Sequence, residues 1–422
     1  MNKASTLIAR RTWLVPILLI VGLALTLPAV YLAGTVDPQG HLSGLPVGLV
    51  VEEQTAGGGL GAADDAAKAI EQGTEDRLSV TRMSHDELTE AMAEDRVSGA
   101  VVIPANFDAS LAGLVPGAGT TITVPVVSIL TNAGDGGLST GLLVGNLTPV
   151  LQQIAGQLGK GLLASVAPTD LPAADSVLMV RPFTIVTRPY QPLPDNSGLG
   201  MSAFYYSLVL VLIGFIGASL VSPLIDAALG FIPTELGPLV ERQPYTDVSR
   251  RTTFLGKVAV LACAAPLAAL AVQLMAALFG VSVGDPVTLW LYSTAVIVSI
   301  GTSALAVFAV LGPGIGALVN TLFFVAMAMV SSGGTVPLAA TPTVFRGFSH
   351  ISPFRHVVDG TRSLFYFDAN LDAGLRSAWI SVAIGGTLGL LLGLVVTTLY
   401  GRVRAFSRQP RPATDRQPGL QP

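Results

Sequence analysis

Several stretches of this sequence carry residue types that do chemistry, and each lacks the surroundings that chemistry needs. Gly137-Leu138-Ser139-Thr140-Gly141 fits G-x-S-x-G, in which a tight strand-to-helix turn exposes a serine nucleophile. Here the preceding β-type run ends several residues too early, and the only later histidines, His350 and His356, belong to a remote segment. The pentapeptide therefore reads as a helix start. No phosphate loop of the form G-x-x-x-x-G-K-S/T occurs, and Gly159-Lys160-Gly161 has neither the spacing nor the hydroxyl of one. His350 and His356, with no cysteine between or beside them, make a poor metal pair and read as interfacial histidines bonded to backbone or water. The single cysteine, Cys263, lies in an apolar run, so neither a disulfide nor a thiolate metal site is expected. The sequence points away from an enzyme: no catalytic residue, no metal and no cofactor is expected in this chain.

What the sequence does specify is a scaffold divided between lipid and water. It has 422 residues, of which 51% are hydrophobic and 12% charged. That is too apolar for a soluble two-domain protein. The charges are unevenly placed: between Asp37 and Asp195 lie 18 of the 27 acidic residues and only seven basic ones. An acidic segment of this kind argues against nucleic acid as a partner, which needs clustered Lys and Arg.

A helix needs about 20 apolar residues to cross a bilayer, so charge-free runs are the signal. Five occur, between Arg11 and Asp37, Asp195 and Asp226, Lys257 and Asp285, Asp285 and Arg346, and Arg376 and Arg402. The fourth is twice the length of one helix and is interrupted by Gly312-Pro313-Gly314-Ile315-Gly316, which predicts a reversal and six helices in all. None of these runs contains Asp, Glu or His, which favours mechanical coupling over proton-driven transport, with Asp226 at the inner end of the second helix left as a candidate relay. Lys3, Arg10 and Arg11, then Arg242, Arg250, Arg251 and Lys257, then Arg402, Arg404, Arg408, Arg411 and Arg416 fall on one side, which the positive-inside rule makes cytoplasmic. A cleaved signal peptide is the alternative for the first run, whose apolar stretch from Trp13 to Ala33 is longer than such a peptide needs.

The expected architecture is a polytopic α-helical membrane protein, with six transmembrane helices and an α/β extracytoplasmic domain inserted between helices one and two. Residues 1–36 hold the cytoplasmic start and first helix, and 37–195 the outer domain. Residues 196–401 hold five helices, with an inner loop at 227–256 and an outer segment at 333–376, and 402–422 form a basic cytoplasmic tail. In the outer domain, strand-like and helix-like segments alternate, and Ser84 with Glu87 makes a capping box that starts a helix. Apolar residues at Leu143, Leu147, Leu151, Ile154 and Leu158 mark a long amphipathic helix, and the run ending at Tyr190 closes the domain as a strand. A small mixed sheet covered by helices follows.

Two stretches carry a family resemblance. Val101-Val102-Ile103-Pro104 followed by Phe107, and Thr131-Asn132-Ala133-Gly134-Asp135 leading into a long helix, resemble the outer domain of type 2 ABC exporter membrane subunits and of YhgE/Pip-like membrane proteins. Ser331-Ser332-Gly333-Gly334 with Pro337, and the segment from Ile351 to Tyr366, resemble the family's outer turn and the Pro-containing segment after it. The resemblance implies a permease subunit in a bacterial plasma membrane, with both termini cytoplasmic. Such subunits work as homodimers with a separate ATPase and move a drug, lipid, glycan or peptide outward, ATP being bound by the partner.

Three groups of residues are then candidates for function. Glu235, Glu241 and Arg242 belong either to a short interfacial helix of the inner loop that receives force from an ATPase or to an ordinary anchoring loop. Gly333, Gly334, Pro337, Pro353, Arg355, Asp359 and Arg362 form either a broken re-entrant hairpin at the outer mouth or an interfacial connector with snorkelling arginines. Gly385, Gly389 and Gly393 give the last helix a smooth face for packing within the subunit or at a dimer seam, and Asn320 reads as an interhelical hydrogen bond. A non-transporting envelope receptor or secretion accessory that presents its outer domain to a protein partner is the alternative function.

Overall fold

The computed structural model describes residues 10–54, 61–115, 123–164, 178–236, 238–403 and 406. Among them are five helical stretches long and apolar enough to cross a membrane. The first, α1 (Arg10–Thr35), has 26 residues, about 39 Å at 1.5 Å per residue, against a hydrocarbon core of about 30 Å. Leu18, Ile20 and Leu25 on it are exposed, as side chains that meet lipid must be.

Between α1 and the next long helix lies an α/β unit: β1 (Leu45–Val51), α2 (Ala62–Thr74), β2 (Leu78–Arg82), α3 (His85–Ala93), β3 (Gly99–Ile103), α4 (Phe107–Gly113), β4 (Val126–Thr131), α5 (Gly137–Ala164) and β5 (Thr184–Pro189). The strand order is β2-β1-β3-β4-β5. All neighbours are parallel except β3 and β4. The period-2 rule sorts the side chains. Leu45, Val47, Leu49, Val101 and Ile103 meet Ile70 of α2 and Leu143, Leu147 and Leu151 of α5 on one face. Val50, Ala100 and Val102 meet Leu88 and Met92 of α3 on the other. The Ser84–Glu87 capping box is formed in both directions and starts α3. The closing strand is shorter than the sequence suggests: residues 178–180 are helical and β5 begins only at Thr184, after Pro182, which has no N–H to donate to a ladder.

The remaining long helices are α6 (Met201–Ala228), α7 (Arg250–Leu278), α8 (Pro286–Asn320, continuing to Val330) and α11 (Arg376–Arg402). A two-stranded hairpin, β6 (Thr234–Leu236) and β7 (Leu239–Glu241), joins α6 to α7. Gly312 interrupts α8 with φ 76° and ψ 172°, a region essentially confined to glycine. Around it the chain folds back on itself. Gly316 lies against Phe308, and Asn320 Nδ2 donates to the Ala304 carbonyl at 3.2 Å, pairs that are equally spaced about Gly312. The returning arm packs on α1, where the Tyr31 hydroxyl donates to the Val325 carbonyl at 2.8 Å.

Two short helices, α9 (Thr343–Ser349) and α10 (Pro353–Tyr366), form a second hairpin before α11. α10 is wedged among the long helices: the Phe204 and Phe354 rings are 5.8 Å apart, the Tyr292 hydroxyl donates to the Val357 carbonyl at 3.0 Å, and Ser207 and Thr361 share a 2.8 Å hydrogen bond. Gly360 makes this possible, since a Cβ there would meet the Tyr292 hydroxyl and Ala378 at 2.5 Å. The hairpin tip at Ile351 and Pro353 shares a cavity of about 400 Å³ with Ser299 and Leu388. Ser299 lies about 20 Å along α8 from Pro286, so the tip reaches well into the bundle.

One expectation is corrected. The charge-free runs led to a bundle without buried ionisable groups, but the helices outlast those runs. α6 includes Asp226, and α7 begins at Arg250 and so includes Lys257, which is 7% exposed. Lys257 Nζ is 2.8 Å from Asp226 Oδ2 and 3.0 Å from Ser222 Oγ. Pairing and hydrogen bonding offset the desolvation that would otherwise exclude each charge.

Candidate functional site

The outer-mouth residues come together along one side of α10. Arg355, Asp359 and Arg362 fall three and four residues apart, the spacing of one helix face. Arg355 Nε is 3.8 Å from Asp359 Oδ2, and Arg355 Nη1 donates to Ser349 Oγ at 3.3 Å, tying α10 to α9. Arg362 is 6% exposed and reaches out of the bundle. Its Nη2 donates to the Asp135 carbonyl at 2.8 Å and to the Gly333 carbonyl at 3.2 Å, and its Nη1 is 3.8 Å from the Asp135 carboxylate. One buried guanidinium therefore joins three parts of the chain: α10, the Gly-Gly turn and the link from β4 to α5.

On the α/β side the network continues through residues the sequence did not single out as a set. Asn132 Nδ2 donates to Asp95 Oδ1 at 2.8 Å and to the Val97 carbonyl at 3.3 Å. Asp95 holds φ 55° in the tight turn between α3 and β3, a conformation that aspartate tolerates better than most residues. Burial, and then the neighbouring Asp135 carboxylate, push the Asp95 carboxyl well above the usual range, with Arg362 pulling the other way. Asp359, outside the long apolar helices, is pushed up to about 6, again by burial first, against the pull of Arg362 and Arg355. Apolar contacts and backbone bonds reinforce the joint. Ser43 N–H donates to the Ala339 carbonyl at 2.8 Å, Val336 and Ala340 join the core of the α/β unit, and Asn370 Nδ2 donates to the Ala93 carbonyl at 3.2 Å. Gly333 has φ 72°, and Gly334 lies so close to the Phe204 ring that no side chain fits there. Pro337 opens the short 3-10 turn at Leu338–Ala340.

The inner loop differs from expectation. Glu235, Glu241 and Arg242 do not share an interfacial helix: Glu235 lies in β6 opposite Val240 of β7, Thr234 pairs with Glu241, and Arg242 follows the hairpin. Pro233 and Gly237-Pro238 deny the segment a helix, because proline removes the donor each turn needs. Glu241 accepts from Gln243 Nε2 at 2.9 Å, while the Glu235 side chain lies outside the described residues. The hairpin carries Leu239 and Val240 exposed at 72% and 65%.

The glycine stripe of α11 faces other helices of the same chain. A Cβ at Gly389 would meet the Ser303 backbone at 2.7 Å, and one at Gly393 would strike the Phe254 ring. Gly385 accepts from Ser303 Oγ at 3.0 Å. Ser139 of the G-x-S-x-G pentapeptide is 1% exposed in the first turn of α5, 3.4 Å from Asp135 Oδ2. His350 and His356 flank the hairpin tip, and among the described residues no group of three or more His, Cys, Asp or Glu is placed to hold a metal.

Fold and site together define a multi-pass membrane protein whose α/β unit is pinned to its helical bundle. A family model for the ABC-2 family transporter protein matches residues 10–399, and the chain belongs to that family. No curated protein and no solved structure matches it.

Proposed function

We propose that this chain is the permease subunit of an ABC-type exporter, moving a hydrophobic or amphipathic substrate such as a drug, lipid or peptide outward. Membrane proteins of the ABC-2 family typically work with a separate ATPase. The observation that carries the reading here is the β6–β7 hairpin, which offers exposed Leu239 and Val240 at the end of the bundle where Arg242, Arg250 and Arg251 cluster. Force applied there passes directly into α6 and α7. On this reading the run Pro286–Val330 crosses the bilayer twice about Gly312, giving six spans. The termini are then cytoplasmic, the α/β unit outside the cell and the α9–α10 hairpin re-entrant at the outer mouth. A homodimer in the bacterial plasma membrane and a place near the YhgE/Pip-like branch complete the proposal. Against the alternative of a receptor presenting its outer domain stands the domain's attachment: Arg362 and the Gly333 turn hold it to the bundle instead of leaving it free for a partner.

The test uses a cysteine placed at Val240 in a chain whose exposed Cys263 is first replaced by alanine. Crosslinking in native membranes should yield an adduct that contains a nucleotide-binding ATPase. An adduct free of any ATPase, together with a protein partner captured through the outer domain, would favour the receptor.

A further inference from the structure

A cavity of about 450 Å³ opens between the inner ends of α6, α7, α8 and α11. Its wall has two chemistries. Phe254, Leu305, Phe308 and Tyr400 give it an apolar lining, and Arg250 and Lys257 bring two cations from positions two turns apart on α7, about 10 Å along the axis. Among the described residues that line it, Asp226, bonded to Lys257, is the single carboxylate, so their side chains together carry one positive unit. Arg250 is half-buried and anchored through Nη2 to the Phe406 carbonyl, which holds its guanidinium at the rim. Gly312 and Pro313 close the far side, where the returning arm of α8 begins and its helix dipole adds positive potential.

We propose that this cavity binds the phosphate headgroup of an anionic phospholipid from the inner leaflet. A phosphodiester carries one negative charge, which matches the net charge of the wall, and its glycerol and upper acyl chains suit the aromatic and aliphatic lining. Basic pockets between membrane helices on the cytoplasmic side recognise such headgroups in general. A bound lipid would brace the four helix ends that the β6–β7 hairpin adjoins, since Ile232 at the hairpin's base lines the same cavity. The site takes its cytoplasmic side from the orientation proposed above but needs no ATPase partner, so a preparation without ATPase that still binds the lipid would sink the permease reading and leave this one standing.

The experiment compares thermal unfolding of the purified full chain in detergent with added phosphatidylglycerol, phosphatidylcholine, glycerol 1-phosphate and inorganic phosphate. Phosphatidylglycerol should raise the apparent Tm in a saturable way and the other three should not. Arg250→Gln should weaken the apparent affinity at least fivefold, whereas the paired variant Lys257→Met with Asp226→Asn, which keeps the net charge of the wall and leaves no lone buried charge, should stay within about twofold of the wild type. Arg251→Gln, whose side chain lies on another face of α7, should behave as the wild type. Equal stabilisation by phosphatidylcholine, or full phosphatidylglycerol binding by the Arg250→Gln chain, would overturn the proposal. An equal effect of inorganic phosphate would overturn the lipid as its source.

Discussion

At the scale of single residues, Arg362 ties the α/β unit to the helical bundle. It is buried, it satisfies two backbone carbonyls in separate segments, and it faces Asp135 across the joint between sheet and bundle. Arg362→Leu should therefore cost roughly 3 kcal/mol, the order found when one partner of a buried pair is removed. Limited proteolysis should then release the α/β unit faster than in the wild type. The same network predicts a pH dependence. Asp95 and Asp359 both hold their protons more tightly in the docked state than free carboxyls do. A raised carboxyl pKa means that docking is weakened as pH rises above the usual carboxyl value, about 4, for Asp359 through the interval up to its folded value of about 6, and is regained on acidification. The protection factor of the Ser43 amide, which donates across the joint to the Ala339 carbonyl, should be higher at pH 5 than at pH 7.5 once the intrinsic pH dependence of exchange is divided out. The double variant Asp95→Asn with Asp359→Asn should flatten that difference, and an unchanged profile would show that these carboxyls do not control the joint.

At the scale of elements, two glycines test how the bundle is built. Gly312 has a backbone conformation that other residues rarely reach, yet no atom crowds the space a Cβ would take. Gly312→Ala should thus cost about 1–3 kcal/mol from backbone strain alone. Gly389→Leu acts by the other route, forcing α11 away from the Ser303 backbone at a cost of about 1–3 kcal/mol from overpacking, while Gly401→Ala, with nothing nearby, should be neutral in a melting experiment. These elements also show what the sequence makes legible. The capping box of α3, the short apolar runs of β1 and β3, and the break at Gly312 are local signals, readable because each depends on neighbours in the chain. In the inner loop, Pro233 and Pro238, whose missing donors disfavour a helix, are the local signal that the helix alternative for Glu235, Glu241 and Arg242 leaves out of account. The ion pair of Lys257 with Asp226 was missed because a charge-free window ends where a charge begins, whereas a helix ends where its backbone does. Asp95, Asn132 and Asp135 belong to the site only through the sheet, which sets β3 beside β4 and brings sequence-distant turns together. No spacing within the chain encodes that meeting.

At the scale of the whole molecule, the structure joins two machines by one interface. On the permease function proposed above, motion of α6, α7 or α10 would reach the α/β unit through Arg362 and the Gly333 turn, and a driving partner would push on the exposed tip of the β6–β7 hairpin. The chain itself offers no phosphate loop with which to bind ATP. The most direct test is to purify the tagged chain from its native membranes and measure ATP hydrolysis in the eluate, alongside a Leu239→Asp, Val240→Asp variant purified in the same way. The wild-type preparation should carry vanadate-sensitive ATP hydrolysis from a second polypeptide, and the variant, equally stable to heat, should lose it by at least tenfold. Hydrolysis that is absent from the wild type, or retained in full by the variant, would contradict an energy supply delivered through that hairpin.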